Sequence, residues 1–365
     1  MTMDALKITR RGALKLGGAA AITAATGVAA LPAMADDEVS PQFYLGTYTS
    51  GIVRGSVDPA TGDLTAEAST AAVSEASWLA LGPSALYAIS EQDAGTVSAL
   101  TADTLAVRTT VKTGNGPAHV AVHPGGKFLF VSLYGAGAVV THPIATDGTV
   151  GAATDTRKQS SGGKPSNAHQ VVVDPAGAYI LAVDLGQDAV FTYTLNTATK
   201  KLVRVAKTAL AAGSGPRHLA FHPGGAFAYV AGENNSTVTV CAWSGGVLTP
   251  GQVIAAAPDT GVTNYPGEIL VSADGRFVYV SNRGTNTVGV FAVGAEGATL
   301  RRIAAPSCGG DWPRHLAVDP TGSFLYAANQ RSGTVTWLPL DPETGVPGPV
   351  AGTLTAPGAA QILLV

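Results

Sequence analysis

The chain has 365 residues, of which 13% are charged and 46% are hydrophobic, and it contains 45 glycines and 22 prolines. It is too apolar for a disordered chain and too rich in turn residues for a helical protein. The net charge is -3, and no run of Lys and Arg follows the N-terminal segment, so the composition disfavours nucleic-acid binding.

Residues 1–35 are predicted to be an export signal that is removed from the mature protein. Thr9 to Lys15 is basic, Leu16 to Leu31 is apolar and rich in alanine and glycine, and Ala33-Met34-Ala35 is a small-residue cleavage site. The paired Arg10 and Arg11 resemble a twin-arginine export signal. The apolar stretch is only weakly hydrophobic, so we expect no membrane span in the mature form. The sequence therefore predicts a secreted or periplasmic protein.

A phrase of about ten residues recurs six times in the rest of the chain. Three close copies begin at Pro117, Pro216 and Pro313, and looser copies begin near Trp78, Ala168 and Pro266. Each copy ends in a turn, and the turn recurs after 41, 51, 48, 50 and 47 residues. Strand-like runs follow each turn. A repeat of this length, built from short strands and Gly/Pro turns, predicts propeller blades of four strands.

The two ends of the repeat region supply the parts of a seventh blade. Ala359–Val365 resembles one more first strand, and Phe43–Thr49 resembles a second strand that is followed by strand-like Val53–Val57 and Leu64–Ser69. Joining these pieces removes the free sheet edges of an open array. We therefore predict one all-β domain over residues 36–365, a seven-bladed β-propeller whose closing blade is made from both chain ends. A sandwich or a β-helix would not explain the complementary fragments.

The repeat topology places two rings of polar side chains around the central channel. The start of each first strand and the end of each second strand lie on the same face of the disc, where a funnel is the default ligand site. The first ring is predicted to hold His119, His169, Arg217, His218, Glu268, Arg314 and His315. The second ring is predicted to hold Glu91, Tyr134, Asp184, Glu233, Arg283 and Gln330.

Two adjacent positions of the first strand lead to different expectations. Five residues before the turn, a polar residue recurs as His119, His218 and His315, which favours a scaffold role such as bonding a neighbouring blade. Six residues before the turn, the residue changes with the blade, and His169, Arg217 and Arg314 stand there. A residue that varies by blade is typical of a site, so these three are favoured as functional.

The same reasoning applies to the ends of the second strands. Glu233 and Arg283 stand where other blades have Tyr134, Leu185 and Gln330. A functional role is favoured for both, against the alternative of an exposed salt bridge at the rim.

The motifs resemble those of the seven-bladed β-propeller lactonase family, of the 6-phosphogluconolactonase and carboxy-muconate lactonizing enzyme type. The matching segments are Tyr44–Gly51, Ala168-His169, Asp184–Asp188, Gly215–His218, Glu268-Ile269, Ser281–Gly284 and Trp312–Arg314. The resemblance implies a site of one His, two Arg and one Glu, which falls on His169, Arg217, Arg283 and Glu233. The chain departs from the family pattern at Asn167 and Ala189.

Lactone hydrolysis needs an activated water and stabilisation of an oxyanion. His169 is the predicted general base, and Glu233 is predicted to orient it or to replace it. Arg217 and Arg283 are predicted to polarise the carbonyl or to clamp an anionic group. The residues predicted to bind substrate are Arg314, Glu268, Asp184, His218 and Gln330. We expect no metal and no cofactor, and no Gly-x-Ser-x-Gly elbow occurs.

Three function classes remain open on the sequence. The first is an exported, metal-independent hydrolase of a sugar-type or carboxylated lactone, and the second is a cycloisomerase of the muconolactone type. The third is a non-catalytic propeller that binds a ligand or a protein. The expected partner is a small lactone or an anionic sugar-derived ligand, and the expected state is a monomer. Cys241 and Cys308 are expected to stay unpaired.

Overall fold

The computed structural model describes residues 41–160 and 163–365, and the predicted export signal lies outside the described residues. The described strands form seven antiparallel sheets of four strands each. Their contacts run from each sheet to the next around a ring. No helix within these ranges is long and apolar enough to cross a membrane. The predicted seven-bladed β-propeller is confirmed.

Each blade runs from an innermost strand at the channel to an outermost strand at the rim. Blades 1 and 2 comprise β4 (Leu79–Leu81), β5 (Leu86–Ser90), β6 (Gly95–Leu100) and β7 (Val107–Gly114), then β8 (Pro117–Val122), β9 (Phe128–Leu133), β10 (Ala138–Pro143) and β11 (Asp155–Lys158). Blades 3 and 4 comprise β12 (Ala168–Val173), β13 (Ile180–Asp184), β14 (Ala189–Asn196) and β15 (Lys201–Ala209), then β16 (Pro216–Phe221), β17 (Phe227–Gly232), β18 (Thr237–Ser244) and β19 (Val247–Ala255).

Blades 5 and 6 comprise β20 (Tyr265–Val271), β21 (Phe277–Arg283), β22 (Thr287–Gly294) and β23 (Thr299–Ala304), then β24 (Pro313–Val318), β25 (Phe324–Asn329), β26 (Thr334–Pro339) and β27 (Gly352–Thr355). A short 3-10 helix, Ala295–Gly297, links β22 to β23. Blade 7 is ordered β28 (Ala359–Leu364), β1 (Gln42–Thr47), β2 (Ile52–Val57) and β3 (Leu64–Thr70).

Burial changes along each blade as the propeller geometry requires. The second strand is covered on both faces by neighbouring blades, and every residue of β9 is buried. The outermost strand faces solvent, and β7 has no fully buried residue. Strands covered on both faces favour continuous apolar and β-branched runs, which explains why the second strands are the most readable part of the repeat.

Four second-strand tyrosines fasten one blade to the next. Each hydroxyl donates to a glycine carbonyl in a loop of the following blade: Tyr87 to Gly148 at 2.9 Å, Tyr229 to Gly297 at 2.9 Å, Tyr279 to Gly345 at 3.0 Å, and Tyr326 to Gly62 at 2.9 Å. Burial raises the pKa of Tyr229 and Tyr279 to about 12, so these hydroxyls stay protonated donors. The tyrosines thus hold the sheets at a fixed spacing around the axis.

The closing blade pairs the two ends of the propeller as predicted. Phe43 pairs with Leu364 and Leu45 with Ile362 in an antiparallel ladder between β1 and β28. The ladder continues to Gln42, whose backbone N–H donates to the Val365 carbonyl at 3.0 Å. The ring is therefore closed by hydrogen bonds between segments more than 300 residues apart, which leaves no unpaired edge on β1.

Candidate active site

A β-bulge in the innermost strand shapes the funnel in six of the described blades. One extra residue interrupts the pairing of the first strand with the second, at Ala118, His169, Arg217, Gly267, Arg314 and Ala360. A bulge bends the strand and re-aims the side chain of the extra residue. Consecutive residues such as Arg217 and His218 can therefore both reach the channel, although side chains of a regular strand alternate between faces.

The residue after the bulge follows one of two patterns. Gln170 accepts a hydrogen bond from the Leu219 N–H at 2.7 Å, and Gln361 bonds both the N–H and the carbonyl of Leu79, so these amides bridge adjacent blades. In the other blades the side chains meet on the propeller axis. This axial cluster contains Trp78, His119, His218, Glu268 and His315. The expected scaffold bond to a neighbouring blade is thus made by glutamines, while the histidines line the channel.

Arg217 is a fully buried guanidinium at the centre of the funnel. Its Nη1 donates to the Gly267 carbonyl of blade 5 at 2.7 Å, and its Nε lies 3.3 Å from Glu233 Oε2. Its Nη2 makes no hydrogen bond to any residue in 41–160 or 163–365. Burial, and then the charges of Arg283 and Arg314, lowers the pKa of Arg217 to about 9, so the group is still charged at neutral pH.

Gly267, whose carbonyl accepts from Arg217, has no room for a side chain. A Cβ atom there would lie 2.6 Å from Ser281 Oγ and 3.0 Å from the Arg314 carbonyl oxygen. Glycine therefore lets β20 of blade 5 lie close to the backbone of β24 in blade 6.

Arg283 also forms an ion pair with Glu233, the carboxylate that lies next to Arg217. Its Nη2 lies 2.8 Å from Glu233 Oε2, and its Nε donates to the Tyr265 carbonyl at 3.0 Å. Its guanidinium also lies over the Trp312 ring, 5.5 Å from the centroid. Glu233 therefore sits between two arginines of neighbouring blades and holds both at the funnel wall.

A second ion pair lies across the funnel. Arg314 Nη2 is 3.5 Å from Glu91 Oε2, and the Tyr48 hydroxyl donates to the same oxygen at 2.6 Å. The Arg314 guanidinium lies over the Tyr48 ring, 5.2 Å from the centroid. Burial raises the pKa of Tyr48, so its hydroxyl acts as a donor at neutral pH. Three guanidinium groups thus converge on one mouth of the channel.

His169 lies below these arginines at the wall of the channel. Its Nδ1 is 3.2 Å from His218 Nε2, and its ring meets Tyr134 edge-on at a centroid distance of 5.9 Å. Burial, and then the charge of Arg217, holds the pKa of His169 well below its ordinary value. The imidazole is therefore neutral at physiological pH, as a general base must be.

Glu268 is the carboxylate of the axial cluster. Both of its oxygens lie 3.0 Å from His218 Nδ1, and Oε2 is 3.4 Å from His315 Nε2. Burial raises the pKa of Glu268, and the charges of His315 and Arg217 oppose this rise. Glu268 and His218, predicted to bind substrate, thus contact each other inside the channel.

Asp184 occupies a different place from the rest of its predicted ring, whereas Gln330 stands at the ring position. Asp184 stands one residue before the ring position, which Leu185 takes in blade 3, and its fully buried carboxylate accepts from the N–H groups of Asn167 and Gln187 at 2.9 and 3.0 Å. It therefore supports a loop, as Asn282 and Asn329 do at the same position by accepting from Asn264 and from the Cys308 thiol. Gln330 stands at the ring position, where its backbone N–H donates to the Trp312 carbonyl at 3.0 Å.

Sequence reasoning missed Tyr48, Trp312 and Trp78 as parts of the site. Tyr48 stands at the position of Glu233 in the closing blade, so the repeat alignment could have found it. Trp312 adopts a left-handed backbone conformation with φ 64°, and both Arg283 and Arg331 lie over its ring. A bulky residue rarely adopts such a φ, and the motif Trp312–Arg314 does not indicate this conformation.

The described residues contain no group of three or more His, Cys, Asp or Glu side chains placed to share a metal ion. Cys241 and Cys308 are both free and buried. A cavity of about 570 Å³ lies toward the other mouth of the channel, lined by first strands and turns of blades 5 to 7 such as Leu270, Val318 and Leu364. Its lining also includes Asp274, Arg276, Asp319 and Asp341, so charged groups occur at both mouths.

Comparisons with known proteins agree with the fold and with the motifs. A family model described as "Lactonase, 7-bladed beta-propeller" matches residues 42–364. A protein named 6-phosphogluconolactonase from Bacillus subtilis is 34% identical over 241 residues, which are 64% of this chain and 68% of that protein. The solved structure of a periplasmic gluconolactonase from Pseudomonas aeruginosa aligns with a TM-score of 0.82 and 28% identity, over 89% of this chain and 99% of that one. A protein of Lactobacillus plantarum aligns with a TM-score of 0.83 and 31% identity, over 89% and 99%.

Proposed function

Because this chain belongs to the seven-bladed β-propeller lactonase family, we propose that it hydrolyses a sugar-type or carboxylated lactone at the funnel without a metal ion. Family membership supports the class of reaction, a lactone hydrolase. The location of the reaction, the residues that perform it and the independence from metal are our proposals.

The observation that carries the proposal is the set of arginines around a buried neutral histidine. Arg217, Arg283 and Arg314 come from three successive blades, and Arg217 has a buried nitrogen with no hydrogen-bond partner among the described residues. Arg217 is fully covered and contributes its charge through the wall of the funnel, while Arg283 and Arg314, whose side chains are 5% and 13% exposed, can contact an anionic oxygen of a ligand. The funnel is therefore suited to a carbonyl that becomes an oxyanion, or to a carboxylate.

In the proposed mechanism His169 takes a proton from a water molecule as that water attacks the lactone carbonyl. Arg217 and Arg283 stabilise the negative charge that develops on the carbonyl oxygen. The tetrahedral intermediate then breaks the ring C–O bond, and the proton on His169 passes to the leaving alkoxide. One water molecule is consumed and a hydroxycarboxylic acid is released.

The contacts favour a different role for Glu233 from the predicted assistance to the base. Its Oε2 lies 3.3 Å from Arg217 and 2.8 Å from Arg283. We therefore propose that Glu233 positions the two guanidinium groups. Arg314 is proposed to bind a second anionic or hydroxyl group of the substrate across the funnel.

We also propose that the enzyme acts outside the cytoplasm, by way of the twin-arginine signal in residues 1–35. The similarity to a periplasmic gluconolactonase supports this placement. Sugar phosphates are mostly cytoplasmic, so an exported enzyme is better matched to an unphosphorylated sugar lactone or to a carboxylated lactone.

The proposal is tested with a panel of sugar and carboxylated lactones, each assayed with and without a chelator. A positioned base contributes about 10²–10⁴-fold, so His169→Ala and His169→Gln should lose that much in kcat. His119→Ala is the matched control, because it removes a buried channel histidine that contacts no arginine of the funnel; it should lower stability more than rate. Activity that vanishes with chelator and returns with calcium would refute the mechanism. Absence of turnover across the panel would favour a binding propeller.

A further inference from the structure

A continuous chain of three buried side chains runs from the axial cluster to the funnel. Glu268 of blade 5 contacts His218 of blade 4 at 3.0 Å, and His218 contacts His169 of blade 3 at 3.2 Å. The residue six before the turn in blade 3 and the residues five before the turn in blades 4 and 5 therefore form one hydrogen-bonded row. His218 is fully buried, and His169 and Glu268 are each 6% exposed.

The hydrogen bonds restrict the protonation states that this row can adopt. An ionised carboxylate only accepts, so Glu268 requires a proton on His218 Nδ1. A neutral His218 then has a lone pair on Nε2, which can only accept from His169 Nδ1. His169, also neutral, is left with an unprotonated Nε2. Burial holds the pKa of His218 well below its ordinary value, in agreement with neutral imidazoles.

We propose that His218 and Glu268 are positioning residues that hold His169 in the tautomer with a free Nε2, which makes it a competent base. This rests on the proposed function of His169. The ionised Glu268 also compensates the positive charge that arises when His169 takes its proton. That compensation matters here because Arg217, Arg283 and Arg314 all disfavour a charged His169. The same logic explains why a carboxylate behind a catalytic histidine is worth several orders of magnitude in proteases.

The row differs from the rest of the axial cluster in its connections. His315 also contacts Glu268, at 3.4 Å, but it lies on the far side from His169. His119 packs on Trp78 with a ring centroid distance of 4.2 Å and lies 5.7 Å from the His218 ring, with no hydrogen bond to the row. Substitution of His218 is therefore expected to change the tautomer of His169, whereas substitution of His119 is not, and His119 serves as the control.

The test uses the ring ¹⁵N NMR signals of His169 in the wild type, Glu268→Gln, His218→Gln and the control His119→Gln. In the wild type and the control, His169 Nε2 should have the chemical shift of an unprotonated nitrogen. In Glu268→Gln, the amide can donate as well as accept, so His169 should populate both tautomers. His218→Gln should have the same effect, and it serves as the second variant if Glu268→Gln does not fold.

Kinetics provide the second readout on the same proteins. Glu268→Gln should lose about 10²-fold in kcat, while KM changes by less than about threefold, since the row touches the base and not the substrate. A wild-type His169 protonated on Nε2, or a His169 tautomer unchanged in both variants, would overturn the proposal. The NMR readout needs no substrate. If the His169 tautomer depends on Glu268 but no lactone is turned over, the positioning role stands and the proposed function is wrong. If lactone is turned over but the tautomer does not depend on Glu268, the proposed function stands and the positioning role is wrong.

Discussion

Two histidines four residues apart, His218 in β16 and His222 directly after it, have opposite environments in this fold. His222, at the turn end of β16, accepts from the Gly224 N–H through Nδ1 at 3.0 Å and places Nε2 3.2 Å from the Gly275 carbonyl of the next blade. His218, at the funnel end of the same strand, bonds two side chains, Glu268 and His169. The first histidine belongs to the scaffold and the second to the site.

The same pair recurs in blade 2, where His123 makes the turn contacts and His119 faces the channel. Recurrence in a repeat therefore identifies a structural position and not a role. Their partners separate them: His123 and His222 bond backbone groups of turns, whereas His218 bonds the side chains of Glu268 and His169. His119 Nδ1, His315 Nδ1 and Arg217 Nη2 all lack hydrogen-bond partners in the part of the chain that is described.

The largest effect is expected from breaking the scaffold. Deleting residues 359–365 removes β28, opens the ring and exposes the pairing edge of β1. The truncated protein should lose cooperative thermal unfolding, as measured by calorimetry. A synthetic peptide of residues 359–365 is the control, because it should restore the transition. An unchanged melting temperature without the peptide would show that closure does not stabilise the ring.

Acid should act on the channel histidines. Burial holds the pKa of His119, His169 and His218 well below the ordinary value and lowers that of His315 to about 4. The unfolded chain binds protons at these groups from about pH 6.5 downward, and the folded protein does not. Stability should therefore fall as the pH falls from about 6.5 toward 4, by up to about 1.4 kcal/mol per pH unit for each histidine. Glu268, whose pKa is raised, opposes this trend as a single group.

Urea unfolding measured at several pH values between 7 and 4.5 checks this sign. His119→Phe removes one titrating group that makes no hydrogen bond through Nδ1, so it should reduce the slope. Trp78→Phe alters a non-titrating residue of the same cluster and should leave the slope unchanged. A slope that is the same in His119→Phe and in the wild type would contradict the assignment of the acid effect to the channel.

The smallest effect distinguishes two arginines that lie over the same tryptophan. Arg283 pairs with Glu233 and lies over Trp312, whereas Arg331 lies 3.4 Å from the Trp312 centroid and forms no carboxylate ion pair within the described ranges. Arg283→Lys loses the bidentate fork and should weaken binding of a sugar carboxylate about tenfold, as measured by calorimetry. Arg331→Lys should leave the affinity within about twofold. Equal affinities in both variants would indicate that Arg283 is only part of a rim salt bridge.

Much of this architecture could be predicted because it is periodic. The spacing of the turns and the fragments at the two ends identified seven blades and their closure. The positions that vary by blade identified His169, Arg217 and Arg314, which the structure brings to one funnel together with Glu233 and Arg283. The repeats can be recognised in the sequence because the same strand positions must be buried in each blade.

The remaining details depend on contacts that no repeat encodes. A strand pattern with a period of two cannot show that a bulge turns both Arg217 and His218 toward the axis. Asp184 was predicted in the second ring, but Leu185, one residue later, holds that position. The link between His169 and Glu268 crosses three blades, and it depends on the spacing of the sheets, which tyrosines such as Tyr229 set by hydrogen bonds.

The bulge in the innermost strand also bears on how such an enzyme can diversify. The extra residue has no partner in the ladder, so replacing it changes the funnel while the pairing of its neighbours is retained. Substrate preference and folding are then controlled by separate residues of the same strand. Ala118 and Ala360 are buried, so a library at the bulge would vary Arg314, keep Gly267 as glycine and leave both alanines unchanged to preserve folding.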